Sequence, residues 1–156
     1  MEITPKFIAD GMLGSLARWL RLAGFDTEYF SGKDKYFLAY KARNEKRLVL
    51  TRDRKFFENN RTISVFIEAE DLRAQLKEVR NKLKLELVNE KLFTICSLCN
   101  LPLEEKRVEE VIKLVPEYVG KTQKHFSQCK KCGKIYWQGT HWERMLNFIK
   151  TINHED

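Results

Sequence analysis

KFIADGMLGSLARWLRLAGFDTEYF, residues 6–30, decides how the chain is built. A short apolar strand over residues 6–9 stops on Asp10, and GMLGS follows. Leu13, Leu16, Ala17, Leu20 and Ala23 then recur at helical spacing until Gly24 ends the run. FDTEYF reads as a second strand, with a turn at Ser31 and Gly32. Outward from this unit the alternation continues. Asp34 is placed to cap a second helix that runs through Phe37, Leu38 and Ala42 to about Lys46. RLVLTRD, residues 47–53, makes a third strand that stops on Asp53, and RKFFENN after it is a short basic helix or loop. TISVFIEA is a fourth strand, and Glu70 and Asp71 open a helix with Leu72, Leu76, Val79 and Leu83 on one face. Strands alternating with helices predict an α/β fold with a doubly wound parallel sheet.

In such a sheet, ligands bind outside the carboxyl ends of the strands. Asp10 and Asp53 both stand there. A lone strand-end aspartate is more often a cap or turn residue, but two on neighbouring strands can share a divalent cation, and metal sites of that kind do phosphoryl chemistry. Thr51 is placed to fix the loop that carries Asp53. Asp34 divides evenly between a third site acid and a helix cap, while capping explains Glu70 and Asp71 more cheaply. Arg18, Arg21, Arg52, Arg54 and Lys55 are expected to flank the same edge, where cations offset the repulsion between carboxylates and a phosphodiester.

Composition points to the same class of partner. Net charge is +7 and the pI is near 9.2, which favours a polyanion, either nucleic acid or an anionic membrane surface. Hydrophobic residues are 43% of the 156, enough for a sizeable core, and no apolar run approaches the roughly 20 residues of a membrane span. A soluble, cytoplasmic protein is expected, with cysteines read as metal ligands before disulfides.

Cys96-Ser-Leu-Cys99 and Cys129-Lys-Lys-Cys132 are two CxxC pairs. Each pair puts two thiolates on one metal from a tight turn, and two such turns complete a tetrahedral zinc site. Redox motifs are the weaker reading, since one CxxC opening a helix is expected there. Four thiolates leave no open position, so the zinc is structural. The style of the sequence changes near residue 90, which places a first domain over residues 1–90 and a ribbon with a last helix, about Trp142 to Lys150, over 91–156. Lys131 and Trp137 are candidate contacts for phosphates and bases on the ribbon, and solvated lysines around a small core explain that surface equally well. His125 and His141 are read as structural or as part of that basic, aromatic surface.

The strings FIADGMLGSLARWLRLAGFDT, RLVLTRDRKFF, CSLCNLPLE and CKKCGKIYWQGTHWERM, taken in that order, closely resemble the Mut-seven C-terminal RNase family over nearly the whole chain. The resemblance implies a PIN-like nuclease domain followed by a zinc ribbon. It makes Asp10 the first-strand acid, Thr51 and Asp53 part of the TRD motif, and the four cysteines the ribbon ligands. Asp34 falls where the family often has an acid, but here it stands between two lysines. The expected activity is a Mg²⁺- or Mn²⁺-dependent ribonuclease with Asp10, Asp53 and Asp34 as ligands, acting on RNA alone or with a ribosome or RNA-processing complex. The rival from another class is a non-catalytic RNA-binding adaptor on the same scaffold. A phosphorelay receiver fits poorly, because Gly11 follows Asp10 where a second acid is normal.

Overall fold

The computed structural model describes residues 3–154. Four strands, β1 (Phe7–Asp10), β2 (Thr27–Phe30), β3 (Leu48–Thr51) and β4 (Ser64–Phe66), form one parallel sheet in the order β2-β1-β3-β4. The helices between and after them are α1 (Gly14–Leu22), α2 (Lys35–Glu45), α3 (Arg54–Asn59) and α4 (Leu72–Leu83). All four residues of β1 are buried, as expected for a strand covered on both faces. The pleat sends Phe7 and Ala9 to one side and Ile8 to the other.

These two sides are distinct cores. Phe7, Ala9 and Leu50 pack with Leu16, Ala17 and Leu20 of α1, Leu76 and Val79 of α4, and Met145, Ile149 and Ile152 of a late helix, α7 (Thr140–His154). Ile8 and Val49 pack with Leu38, Ala39 and Ala42 of α2 and Phe56 of α3. The expected helix α2 is observed almost to the residue, whereas α1 is shorter at its start because Met12 takes a positive φ of 75° in the turn after Asp10. Gly24 ends α1 at φ +96°, and a Cβ there would lie 2.5 Å from the Lys91 carbonyl oxygen. Only glycine fits both demands.

Residues beyond α4 build a second sheet, β5 (Glu104–Lys106), β6 (Phe126–Gln128) and β7 (Ile135–Trp137), antiparallel throughout. Two short helices, α5 (Val108–Val111) and α6 (Glu117–Thr122), lie between β5 and β6 and share a small core with Phe126. This module is fastened to the first sheet by polar contacts. Arg21 of α1 is 9% exposed and donates to the Thr27 carbonyl at 2.7 Å and the Ser97 carbonyl at 2.9 Å. Asn100 accepts from the Thr27 amide at 2.8 Å and donates to Asp26 at 2.7 Å, while Asp26 also takes an ion pair from Arg47 at 2.7 Å. The Phe93 amide donates to the Leu22 carbonyl.

Candidate functional site

The chain runs from β1 outward to β2, then crosses back to β3 on the other side of β1. Such a reversal opens a crevice at the carboxyl ends of β1 and β3, the preferred ligand position of an open α/β sheet. Asp10 ends β1 there, and Thr51 ends β3 beside it.

Asp10 is 2% exposed, so its charge must be met by the protein. Its Oδ1 accepts from the Gly11 amide at 2.8 Å. Its Oδ2 accepts from the fully buried Thr51 hydroxyl at 2.8 Å. The Lys35 ammonium, from the first residue of α2, donates to both oxygens, at 2.6 and 2.7 Å. Thr51 has a second task, because its oxygen accepts from the Asp53 amide at 3.0 Å. One hydroxyl therefore ties the buried carboxylate to the loop bearing the second acid. Asp53 caps α3, with Oδ1 accepting from the Phe56 amide at 3.0 Å. Asp34 caps α2 in the same way, through the Phe37 amide at 3.1 Å, and is exposed. Among the described residues, Asp10, Asp34 and Asp53 do not gather into a tight cluster of ligand oxygens.

A cleft of about 640 Å³ lies between α2 and α3, lined by Lys35, Arg43, Asp53, Lys55 and Asn60 among others. Three cations around one acid suit an anion, and Lys35 faces both this cleft and Asp10. A hard divalent ion fits the donor chemistry at Asp10: Mg²⁺ is typically held by one or two carboxylates together with water and substrate phosphates, with no closed protein cage. The ammonium seated on both oxygens marks the spot as a cation seat.

The other expected contacts are spread more widely. Arg18 is exposed and lines a second cleft, of about 420 Å³, with Ser15 and Tyr29 of the sheet layer and Ser97 and Leu98 of the ribbon. Arg21 is committed to the backbone carbonyls that dock the ribbon. Burial lowers its pKa from the usual arginine value, partly offset by Glu28 and the thiols of Cys96 and Cys99. Arg52 donates to the Glu68 carbonyl at 3.3 Å while its buried Nε has no partner. Arg54 stacks over the Phe66 ring at 4.4 Å, and Lys55 is exposed in the first cleft. Lys131 is exposed between the two cysteines of the second knuckle, and Trp137 packs on Phe126. Lys35 and Arg43 were not singled out by residue pattern, since only the turn from β2 into α2 aims them at the sheet edge.

The four cysteine sulfurs lie within 4.8 Å of one another. Cys96 and Cys132 sulfurs are 3.7 Å apart, well beyond the roughly 2.05 Å of a disulfide bond. Both turns are knuckles: the Asn100 amide donates to the Cys96 carbonyl, and the Gly133 amide to that of Cys129. Asn100 and Gly133 take positive φ, 57° and 78°. Burial pushes the Cys96 thiol up, but hydrogen bonds from the Tyr136 hydroxyl and the Cys99 and Leu98 amides bring it down to about 6. Cys99 is pushed up to about 12, by desolvation and then by the neighbouring Cys132 and Cys129 thiols. Of these two, Cys96 is the readier thiolate and Cys99 the harder to ionise. Four sulfurs at this spacing fit a tetrahedral zinc ion and leave no site for substrate.

A family model described as Mut7-C RNAse domain matches residues 5–149. No curated protein and no solved structure matches the chain. Among the described residues, no helix is long and apolar enough to cross a membrane.

Proposed function

We propose that this chain, which belongs to the Mut7-C RNAse domain family, is a Mg²⁺- or Mn²⁺-dependent ribonuclease of PIN-like build. The observation that carries the reading is Asp10: a buried carboxylate at the strand-order reversal, joined through Thr51 to Asp53, which lines a basic cleft together with Lys35, the partner of Asp10. Asp10 would hold the cation, and Asp53 and Asp34, which stand apart from it at the caps of α3 and α2, would complete the ligand set. The cation, when bound, supplies charge for the phosphodiester and acidifies a water for attack on phosphorus.

The chain's own residues do the rest. Thr51 and the Gly11 amide fix the Asp10 carboxylate, so its charge needs no reorganisation when substrate arrives. Lys35, Arg43 and Lys55 draw the phosphate backbone into the cleft, and Arg18, Arg52 and Arg54 extend the positive edge. The nuclease unit is assigned to residues 1–90 and the ribbon to 91–156, whose last helix completes the nuclease core. Cys96, Cys99, Cys129 and Cys132 would hold a structural zinc, and Lys131 and Trp137 would offer RNA contacts on the ribbon. Reduced cysteines of this kind suit a cytoplasmic setting, where a ribosome or RNA-processing complex is a natural partner.

Purified protein stripped of metal and reloaded with Mn²⁺ should cleave single-stranded or structured RNA, and Asp10→Asn should abolish cleavage. Intact RNA across such a panel, or full activity in Asp10→Asn, would sink the reading. One observation favours a second function, a non-catalytic RNA-binding adaptor: Lys35 already neutralises Asp10, and the acids stay apart. An adaptor binds RNA with the same affinity whether or not Mg²⁺ is present, so a metal titration of RNA binding separates the two.

A further inference from the structure

We infer that the exposed aromatic face of α2 is a stacking platform for unpaired bases of single-stranded RNA, continuous with the cleft that holds Asp53. The inference rests on the proposed RNA substrate and adds where the strand lies. Tyr36 is 91% exposed, Tyr40 63% and Phe37 50%. Scattered exposed aromatics are ordinary, but these are contiguous. Phe30 at the end of β2 lies 6.3 Å from Phe37, centroid to centroid, and Phe37 lies 6.4 Å from Tyr40. Tyr36 and Tyr40, four residues apart, project from the same side of the helix.

The other side of α2 already carries its core residues, Leu38, Ala39 and Ala42, so packing does not call for the tyrosines. Their setting is basic. Lys33 and Lys35 precede them, Lys41 and Arg43 follow, and Tyr36 itself lines the cleft with Lys35, Arg43 and Asp53. Aromatic faces set among cations are the chemistry that grips single strands, because every base has a π-face and every nucleotide a phosphate. The charge selects an anionic strand over an apolar partner. The shared residue Tyr36 places bases on the ridge while the backbone follows the cations toward Asp10 and Asp53.

The test uses full-length Asp10→Asn protein, which binds without cutting, and a fluorescent single-stranded RNA read by anisotropy. A duplex and an abasic strand of equal length serve as companions. Tyr36→Ala with Tyr40→Ala should weaken single-strand binding about tenfold or more, as loss of one or two stacked bases does. Tyr36→Phe with Tyr40→Phe should retain it, and binding of the abasic strand should not change. Equal affinity in the alanine variant overturns the inference. So does an equal loss for the abasic strand, or a dimer broken by the alanine variant with RNA binding intact. If neither the parent protein nor Asp10→Asn binds RNA at all, the ribonuclease reading itself falls, and the platform with it.

Discussion

Replacing Thr51 by valine removes one hydroxyl and almost no volume, and the consequences can be worked from its contacts. The hydroxyl donates to a buried carboxylate at 2.8 Å and accepts from the Asp53 amide at 3.0 Å. A hydrogen bond to a charged group contributes about 1.5–3 kcal/mol and a neutral one about 1 kcal/mol. The extra buried methyl returns up to about 0.8 kcal/mol. The net expectation is a loss of about 2–3 kcal/mol, which for a chain of this size lowers Tm by roughly 4–12 °C. Thr51→Ser keeps both hydrogen bonds and should cost no more than about 1 kcal/mol. Urea unfolding of the two variants, with Asp10→Asn and the double variant closing a cycle, measures the coupling directly. RNA cleavage by Thr51→Val should fall about 100-fold, because the loop that carries Asp53 loses its anchor. If valine and serine variants unfold together with the parent, or the cycle shows no coupling, then Thr51 does not organise this site.

Lys35→Met should bind Mn²⁺ about tenfold more tightly than the parent, since the ammonium that competes for both Asp10 oxygens is gone; calorimetry checks this, and an unchanged affinity would show that Lys35 leaves freely. Zinc should be found at one equivalent per chain, and its removal by a strong chelator should open the ribbon to protease between the cysteine pairs before the parallel sheet unfolds. Asp26 gives a pH dependence. Burial raises its pKa, but hydrogen bonds from Arg47 and Asn100 hold it below the usual carboxylate value. A depressed carboxylate adds stability that is full above its unfolded pKa and is lost as pH falls through the folded one. Asp26→Asn should therefore flatten the stability curve below about pH 4 relative to the parent, as followed by urea midpoints.

Much of this was legible from residue type and spacing. Strand-end acids after apolar runs located Asp10 and Asp53, and the doubled CxxC located the cysteine cluster, because both signals are local. The place of Asp34 before a helical run fitted a cap and a site acid equally, and it was the fold that showed the cap. Relations set by tertiary geometry were not legible. Arg21 has the spacing of a surface arginine, one turn from Arg18, yet the ribbon folds over it and turns it into a buried clasp. Lys35 reads as one more lysine beside a cap, and only the angle at which α2 leaves β2 lays its ammonium on Asp10. The packing of Met145, Ile149 and Ile152 against α1 joins segments well over a hundred residues apart, which no periodicity reports.

That last contact also bears on how the protein is made. The first core is not complete when α4 emerges from the ribosome, because Leu16, Leu20, Leu76 and Val79 still lack the apolar face of α7. The whole ribbon must be translated first, which at roughly 5–20 residues per second leaves that face uncovered for several seconds. During that interval the cysteine-bearing module is threaded between two parts of a core that has yet to close. The nascent chain therefore has a built-in order: ribbon first, then the helix that seals the sheet layer.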